Sequence, residues 1–518
     1  MITLRSYLEG RWVEGGSPQT LVNPATEEPL AQAGSAGLDL AAALEFARRT
    51  GGPALRELTF AQRGQLLQAM ADALQARRDE LLDLAVRNGG NTRSDAKFDV
   101  DGATFTLSAY AELGKGLGEA RFLVDGEGIP LARSPRFHGQ HLMVPRRGVA
   151  VHVNAFNFPA WGLAEKAAVA LLAGVSVVSK PASSSAMAAH RIVEILAEKR
   201  VLPPGALSLL VGGPGDLLDH LGAQDVVAFT GSSDTGARIR VLPQVIRNSV
   251  RVNVEADSLN AAVLGPDADP GSETYELFLK DVVRDMTQKA GQKCTAIRRV
   301  MVPGAVAERV RDDLADRLRT ITIGNPAHEG VRMGPVATAA QLEDVRRGID
   351  LLARDGRLVH GDAALTPVGV EPGTGFFVGP VLLEVEPGAD APSVHSHEVF
   401  GPVATVVPYS GGAAEAAAVV ARGRGGLVSS VYSEDAEFTS EVVMELAPFH
   451  GRIFLGSAKI AEMSPGPGTV LPLLVHGGPG RAGGGEELGG LRGLAFYLQR
   501  VALEGPRPTI ERITKAQP

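Results

Sequence analysis

Residues 148–185 read GVAVHVNAFNFPAWGLAEKAAVALLAGVSVVSKPASSS. GVAVHV is a short apolar, β-branched run and predicts a strand. WGLAEKAAVALLAG predicts a helix, and VSVVS a second strand. A strand, a helix and a strand in so short a span predict parallel pairing through a crossover, with both faces of the sheet covered.

The alternation continues downstream. The serines of SSSAMAAHRIVEILAEKR are available as N-caps for a helix. ALSLLVG predicts a strand, GDLLDHLG a short helix, DVVAFTG a strand, SDTGARIRVLP a helix and VRVNVE a strand. Ligands of such sheets gather at the C-terminal strand ends. A second α/β series starts near residue 256, with a helix in SETYELFLKDVVRDMTQKAG and strands in RRVMVP, FFVGPVLLEV, VATVVPYS and GLVSSVYS. Upstream, residues 1–35 predict short strands and turns, and 37–122 predict helices. Residues 122–143 alternate like a hairpin that leaves the body, and FYLQRVALEGPRPTIERI is placed to pair with it. VHGGPGRAGGGEELGG, 475–490, reads as a mobile loop.

The 518 residues suggest about three units. With 44% hydrophobic and 21% charged residues the composition is that of a globular protein. A net charge of −8 argues against general nucleic-acid binding. The apolar stretches are too short or interrupted for a membrane span, and MITLRSYLEGRW lacks a signal-peptide core. One cysteine allows no internal disulfide. A cytoplasmic protein is expected.

That cysteine, Cys294, lies in QKAGQKCTAI, after a predicted helix and before a strand. Lys289 and Lys293 would favour its thiolate, making it a candidate nucleophile; the alternative is a small buried hydrophobe. Glu255 ends the last strand of the first series, as a general base or as a surface acid. Asn157 follows the first strand, as an oxyanion donor or as a turn residue before Pro159. Lys180 and the serines of VSKPASSS suit a ribose or phosphate, or are a solvated lysine and caps. In FTGSSDTGARI, 229–239, Gly231 and Ser232 precede a helix start that suits a pyrophosphate, although the spacing is not GxGxxG. Glu398 and Phe400 fall in HEVFGP. The eleven histidines show no HxxxH or HExxH spacing, so no catalytic metal is expected.

The order NFP, KPA, FTGS, a glutamate closing a strand, a GQ-type cysteine stretch, EVFGP and a late E-LG resembles the aldehyde dehydrogenase superfamily over nearly the whole chain. The resemblance implies an α/β aldehyde dehydrogenase fold. A Rossmann-like parallel-sheet cofactor domain is expected over 1–121 and 144–255, and an α/β catalytic domain over 256–452. A β oligomerisation arm is expected over 122–143 and 495–518, with 453–494 returning to the cofactor domain. The resemblance also implies roles. Cys294 is similar to the family nucleophile, with Asn157 and its own backbone N–H holding the oxyanion. Glu255 matches the base that activates water. Lys180, Gly231 and Ser232 match cofactor-binding positions, and Glu398 and Phe400 match those at the nicotinamide ribose and ring. Lys166 and Glu487 match a proton relay behind the base, which the adjacent Glu165 would join.

Where NAD-preferring relatives carry an acid three residues after the lysine of KPA, this chain has Ser183, able to donate to a 2′-phosphate. NADP is therefore the expected cofactor. The usual stretch after the base is replaced by EADSLN, which puts the packing around Glu255 in question. HGGPGRAGGGEELGG and NAFNFPAWG are similar to a subgroup acting in aerobic aromatic degradation. For a chain ending after its dehydrogenase region, the implied substrate is 3,4-dehydroadipyl-CoA semialdehyde of benzoate degradation. The alternatives are a free semialdehyde, a CoA-acylating reaction or a non-enzymatic relative. A homodimer is expected, with a small-molecule aldehyde as substrate and no membrane or nucleic-acid partner.

Overall fold

The computed structural model describes residues 1–361 and 365–515. The opening stretch forms the strand Val149–Val153, the helix Pro159–Ala173 and the strand Ser176–Lys180. The two strands pair in parallel, Val149 opposite Ser176 and Val153 opposite Lys180. Alternate residues feed opposite faces: Ala150 and Val177 join one core cluster, Val149, Val151 and Val178 another. Both faces are buried, so the strands read as continuous apolar runs. Each fully buried valine contributes about 1.5–3 kcal/mol against exposure.

The helix starts at Pro159, whose missing N–H costs nothing in the first turn. The buried Asp99 carboxylate accepts from the backbone N–H groups of Ala160 and Trp161, at 3.3 and 2.8 Å. Two donors that every helix leaves unpaired are thereby satisfied. Gly174, at φ +85°, ends the helix.

The first sheet has seven strands in the order Arg251–Glu255, Val226–Thr230, Val149–Val153, Ser176–Lys180, Leu207–Leu209, Ser6–Leu8 and Arg11–Val13. Its first five strands are parallel. A second seven-stranded sheet runs Arg357–His360, Val381–Glu384, Val403–Tyr409, Arg299–Pro303, Ala261–Leu264, Gly426–Tyr432 and His450–Gly456, parallel except at the Arg357–His360 edge.

The hairpin strands Leu123–Pro130 and Phe137–Pro145 join Leu498–Pro506 in an antiparallel three-stranded sheet. Of the segments expected to form the catalytic unit and the arm, residues 362–364 and 516–518 lie outside the described residues.

Three expectations are corrected. Residues 475–490 are no open loop: Val475–Gly478 and Gly485–Leu488 pair as an antiparallel ribbon. The strand His450–Gly456 straddles the boundary expected at 452. The second sheet's first strand in chain order is Ala261–Leu264, a strand absent from the expected second series. Those four residues are all buried, too few to show a pattern. Among the described residues no helix is long and apolar enough to cross a membrane.

Candidate active site

Glu255 is delivered by strand register. It ends Arg251–Glu255 opposite Thr230, whose hydroxyl lies 3.5 Å from Glu255 Oε2. The glycine ribbon packs directly on this strand. A Cβ at Gly483 would lie 2.2 Å from the Val254 carbonyl oxygen, and Gly483 has φ +102°. Only glycine permits that approach. The glycine-rich composition therefore reflects close packing.

Cys294 is delivered differently. The helix Glu273–Thr287 breaks into a buried left-handed turn with Lys289, Ala290 and Gly291 at φ +54°, +52° and +68°. Left-handed backbone at non-glycine residues is costly and is found where function demands it. The loop after it is tied down on two sides. Arg298 donates to the carbonyls of Gly291, Lys293 and Gly401 at 2.9, 3.1 and 2.7 Å. Asn260 Nδ2 donates to the carbonyls of Cys294 and Ala296 at 2.8 and 2.9 Å.

The two side chains meet in a pocket also lined by Phe98, Asn157, Trp161, Lys166, Thr230 and His476. Glu255 Oε1 and Cys294 Sγ both approach His476 Nε2, at 3.3 and 3.9 Å. Asn157 Nδ2 donates to the Gln292 carbonyl at 3.1 Å, which orients the carboxamide and leaves its second N–H. Phe98, Phe158 and Trp161 pack edge to face, centroids 5.3–5.8 Å apart, as an apolar wall.

The lysines beside Cys294 do not activate it. Lys293 Nζ binds Asp285 and Gln288 at 2.7 and 2.9 Å. Lys289 lies over the Phe158 ring at 4.6 Å, and burial pushes its pKa down. Burial and the Glu255 charge push the Cys294 thiol well above its ordinary range. Burial also acts to raise Glu255, but His476 and Lys166 outweigh it and hold the carboxyl below its usual range.

Behind Glu255, Lys166 Nζ binds Glu165 and Glu487 at 3.0 and 3.1 Å, and Glu487 accepts from Asn253 at 3.1 Å. Three buried acids, Glu165, Glu255 and Glu487, share this lysine. Burial pushes Lys166 down, but Glu487 and Glu165 outweigh it and keep it charged. Burial pushes Glu487 up to about 7, against the pull of Lys166. One lysine cannot balance every carboxylate, so the opposite tendencies of the partners are compatible.

On the far side of Cys294 and Glu255, a cleft of about 620 Å³ is lined by Phe156, Gly231, Ser232, Glu398, Phe400 and Arg481, among others. Glu398 accepts from the Ser258 N–H at 3.0 Å, while its Oε1 is buried without a hydrogen-bond partner among the described residues. Burial pushes Glu398 up to about 7, against Arg298. Phe400 meets Phe156 edge to face at 5.8 Å. Ser232 caps the helix Ser233–Arg240. Lys180 is half-buried and has no acid partner among the described residues; burial pushes its pKa down. Ser183 differs from expectation: its hydroxyl donates to the Gly212 carbonyl at 3.0 Å and is committed there.

The sequence reading missed His476, Asn260, Asp257 and Arg298. Asp257 accepts from Ser233 N–H and Oγ–H at 3.1 and 2.6 Å, and Ser258 holds Glu398. The unusual EADSLN stretch is thus what joins Glu255, the helix Ser233–Arg240 and the Cys294 loop. Its polar residues beside Glu255 were the available signal. Histidine spacing carried none for His476, because its partners are remote in sequence. Glu255, Cys294 and His476 offer metal-ligating atoms within 4.8 Å of one another, as do Glu165, Glu255 and Glu487. Sequence spacing could not show either convergence.

Residues 12–501 match the aldehyde dehydrogenase family. The chain is 48% identical to the 3,4-dehydroadipyl-CoA semialdehyde dehydrogenase of Aromatoleum evansii, covering 92% of this chain and 93% of that protein. It is 28% identical to an alpha-ketoglutaric semialdehyde dehydrogenase of Bacillus subtilis over 89% of this chain and 92% of that one. Among solved structures, betaine aldehyde dehydrogenase from Staphylococcus aureus, in complex with NAD+, superposes with a TM-score of 0.84 at 24% identity. The match covers 97% of this chain and 95% of that one, a likeness of fold.

Proposed function

The chain belongs to the aldehyde dehydrogenase family, and on that premise we propose that it oxidises 3,4-dehydroadipyl-CoA semialdehyde to the acid with NADP. The chemistry rests on one observation: Cys294 and Glu255 share a pocket with Asn157. The substrate rests on the Aromatoleum evansii relative.

Cys294 sulfur attacks the aldehyde carbon and forms a thiohemiacetal. The free N–H of Asn157 steadies the charge that develops on the carbonyl oxygen. The apolar wall of Phe98, Phe158 and Trp161 favours a substrate chain without charge near the aldehyde. Glu255 removes a proton from the water that hydrolyses the resulting thioester. Lys166, Glu165 and Glu487 carry that proton away from the buried base.

A nicotinamide dinucleotide, when bound, supplies the hydride acceptor. The cleft suits it, since Glu398 Oε1, whose nearest cation is Arg298 Nε at 3.6 Å, has no hydrogen-bond partner among the described residues and can accept from a ribose hydroxyl. Glu398 and Phe400 would hold the nicotinamide end, and Lys180, Gly231 and Ser232 the ribose and phosphates. With Ser183 bound to a carbonyl, the preference for NADP rests on the absence of a carboxylate at that position and on the unpaired Lys180.

A homodimer built through the three-stranded arm is supported by its exposed Val124, Ile129, Phe137 and Val501. A cytoplasmic setting, in aerobic benzoate degradation, completes the reading.

The test is an assay of purified enzyme with NADP or NAD against CoA-linked and free semialdehydes. Acid formation without added CoA, fastest with NADP and the CoA-linked substrate, is expected. Preference for a free semialdehyde, or a requirement for added CoA, overturns the substrate reading.

A further inference from the structure

His476 has no part in the roles assigned above, yet it touches both reacting side chains. Its imidazole is 3% exposed. Nε2 lies 3.3 Å from Glu255 Oε1 and 3.9 Å from Cys294 Sγ, so one ring nitrogen faces two atoms that carry negative charge at different moments. Nδ1 is buried and has no hydrogen-bond partner among the described residues. A carboxylate only accepts, so a proton belongs on Nε2. The ribbon fixes the ring: His476 stands opposite Glu487, and Gly477, at φ +141°, lets the two strands close.

We propose that His476 is a catalytic residue that hands one N–H from the carboxylate of Glu255 to the sulfur of Cys294. This inference rests on the reading of Cys294 as the nucleophile. In the resting site Nε2–H donates to Glu255. When the thiol reacts, the S–H bond breaks and its proton passes to a Glu255 oxygen. Negative charge leaves the carboxylate as it appears on sulfur, and the N–H follows it to the thiolate. The sulfur electron pair then forms the S–C bond, and the carbonyl π pair moves to oxygen. The proton on Glu255 leaves through Lys166, Glu165 and Glu487, so the carboxylate is restored before the water step. The imidazole neither gains nor loses a proton. This donor answers a difficulty the site otherwise poses: the half-buried thiol lies beside an acid, and the two nearby lysines are committed elsewhere.

The charged groups around the ring fit a fixed donor. Burial opposes a proton on the ring, but Glu255 outweighs it, with Glu165 adding and Arg452 opposing, and holds His476 above its ordinary range, so Nε2 keeps its hydrogen. Glu487 and Lys166 face it across the ribbon and pocket.

The chain has one cysteine, so alkylation by iodoacetamide, followed by intact mass, reads Cys294 alone. Rates are measured against pH in the wild type, His476→Phe and His476→Gln, with folding checked by thermal melting. The Phe variant is expected to react at least about tenfold more slowly at neutral pH, with its pH midpoint raised, because a donor to a charged group is lost. The Gln variant, whose amide donates but does not titrate, is expected to recover much of the rate. A folded Phe variant with unchanged rate and midpoint overturns the proposal, and so does a Gln variant as slow as Phe. Loss of aldehyde oxidation in Cys294→Ala tests the nucleophile separately, since a Cys294→Ala enzyme that still oxidises aldehyde would sink that reading and leave the alkylation result standing.

Discussion

The two seven-stranded sheets share an architecture but supply their reactive groups by opposite means. The first places Glu255 through the register of a regular strand, one residue after Val254 and opposite Thr230. The second leaves Cys294 to a loop outside its strands, held by a left-handed turn, Arg298 and Asn260. A base can sit on rigid scaffold because its task is to wait. A nucleophile entering a crowded pocket needs its backbone re-aimed, and strained backbone does that.

The largest break in the comparison comes from the strand side. Glu255→Gln keeps the shape and removes the base. It should slow the NADPH burst, because the Cys294 proton loses its acceptor, and bring steady turnover down about 10²–10⁴-fold, the usual range for general-base loss. Stopped-flow absorbance checks this; steady turnover at the wild-type rate would remove Glu255 from deacylation.

The loop side should break through structure. A Cβ at Gly291 would lie 2.1 Å from the Gly401 carbonyl oxygen, in a residue at φ +68°. Gly291→Ala should therefore cost about 2–4 kcal/mol, combining overpacking with left-handed strain. It should also slow alkylation of Cys294. A denaturant midpoint equal to wild type would show that the loop is not held as tightly as its contacts indicate.

The smallest effect sharpens the electrostatic contrast. Burial lifts Glu487 to about 7 from an ordinary carboxyl value, so the folded state holds this proton more tightly than the unfolded chain. That contribution to stability is present below the unfolded pKa and fades as pH rises through about 7. Glu487→Gln should flatten the stability profile between about pH 5 and 8. The rise in deacylation rate through the same window should also be lost. Parallel melts and pH–rate curves check both, and profiles unchanged from wild type would leave Glu487 outside the titration.

The legible parts share a cause. The β–α–β pattern of 148–185 was readable because buried parallel strands must be apolar on both faces. Glu255 and Asn157 were readable as candidates because strand ends are where such sheets present polar groups. Ala261–Leu264 was not: a buried strand of four residues has no period to detect. The ribbon of 475–488 looked mobile because glycine reads as freedom, whereas here it records the closeness of Val254.

The chain's pattern and the order of its motifs were enough to indicate two α/β units and a hairpin arm, and to nominate Cys294 and Glu255 as candidate nucleophile and base. Local periodicity and residue chemistry carry that information. Folding alone decided that Lys293 serves Asp285 instead of the thiol, that Ser183 is spent on a carbonyl, and that His476 stands between Glu255 and Cys294. Such pairings depend on distances between remote segments, and a linear string of residues does not contain them.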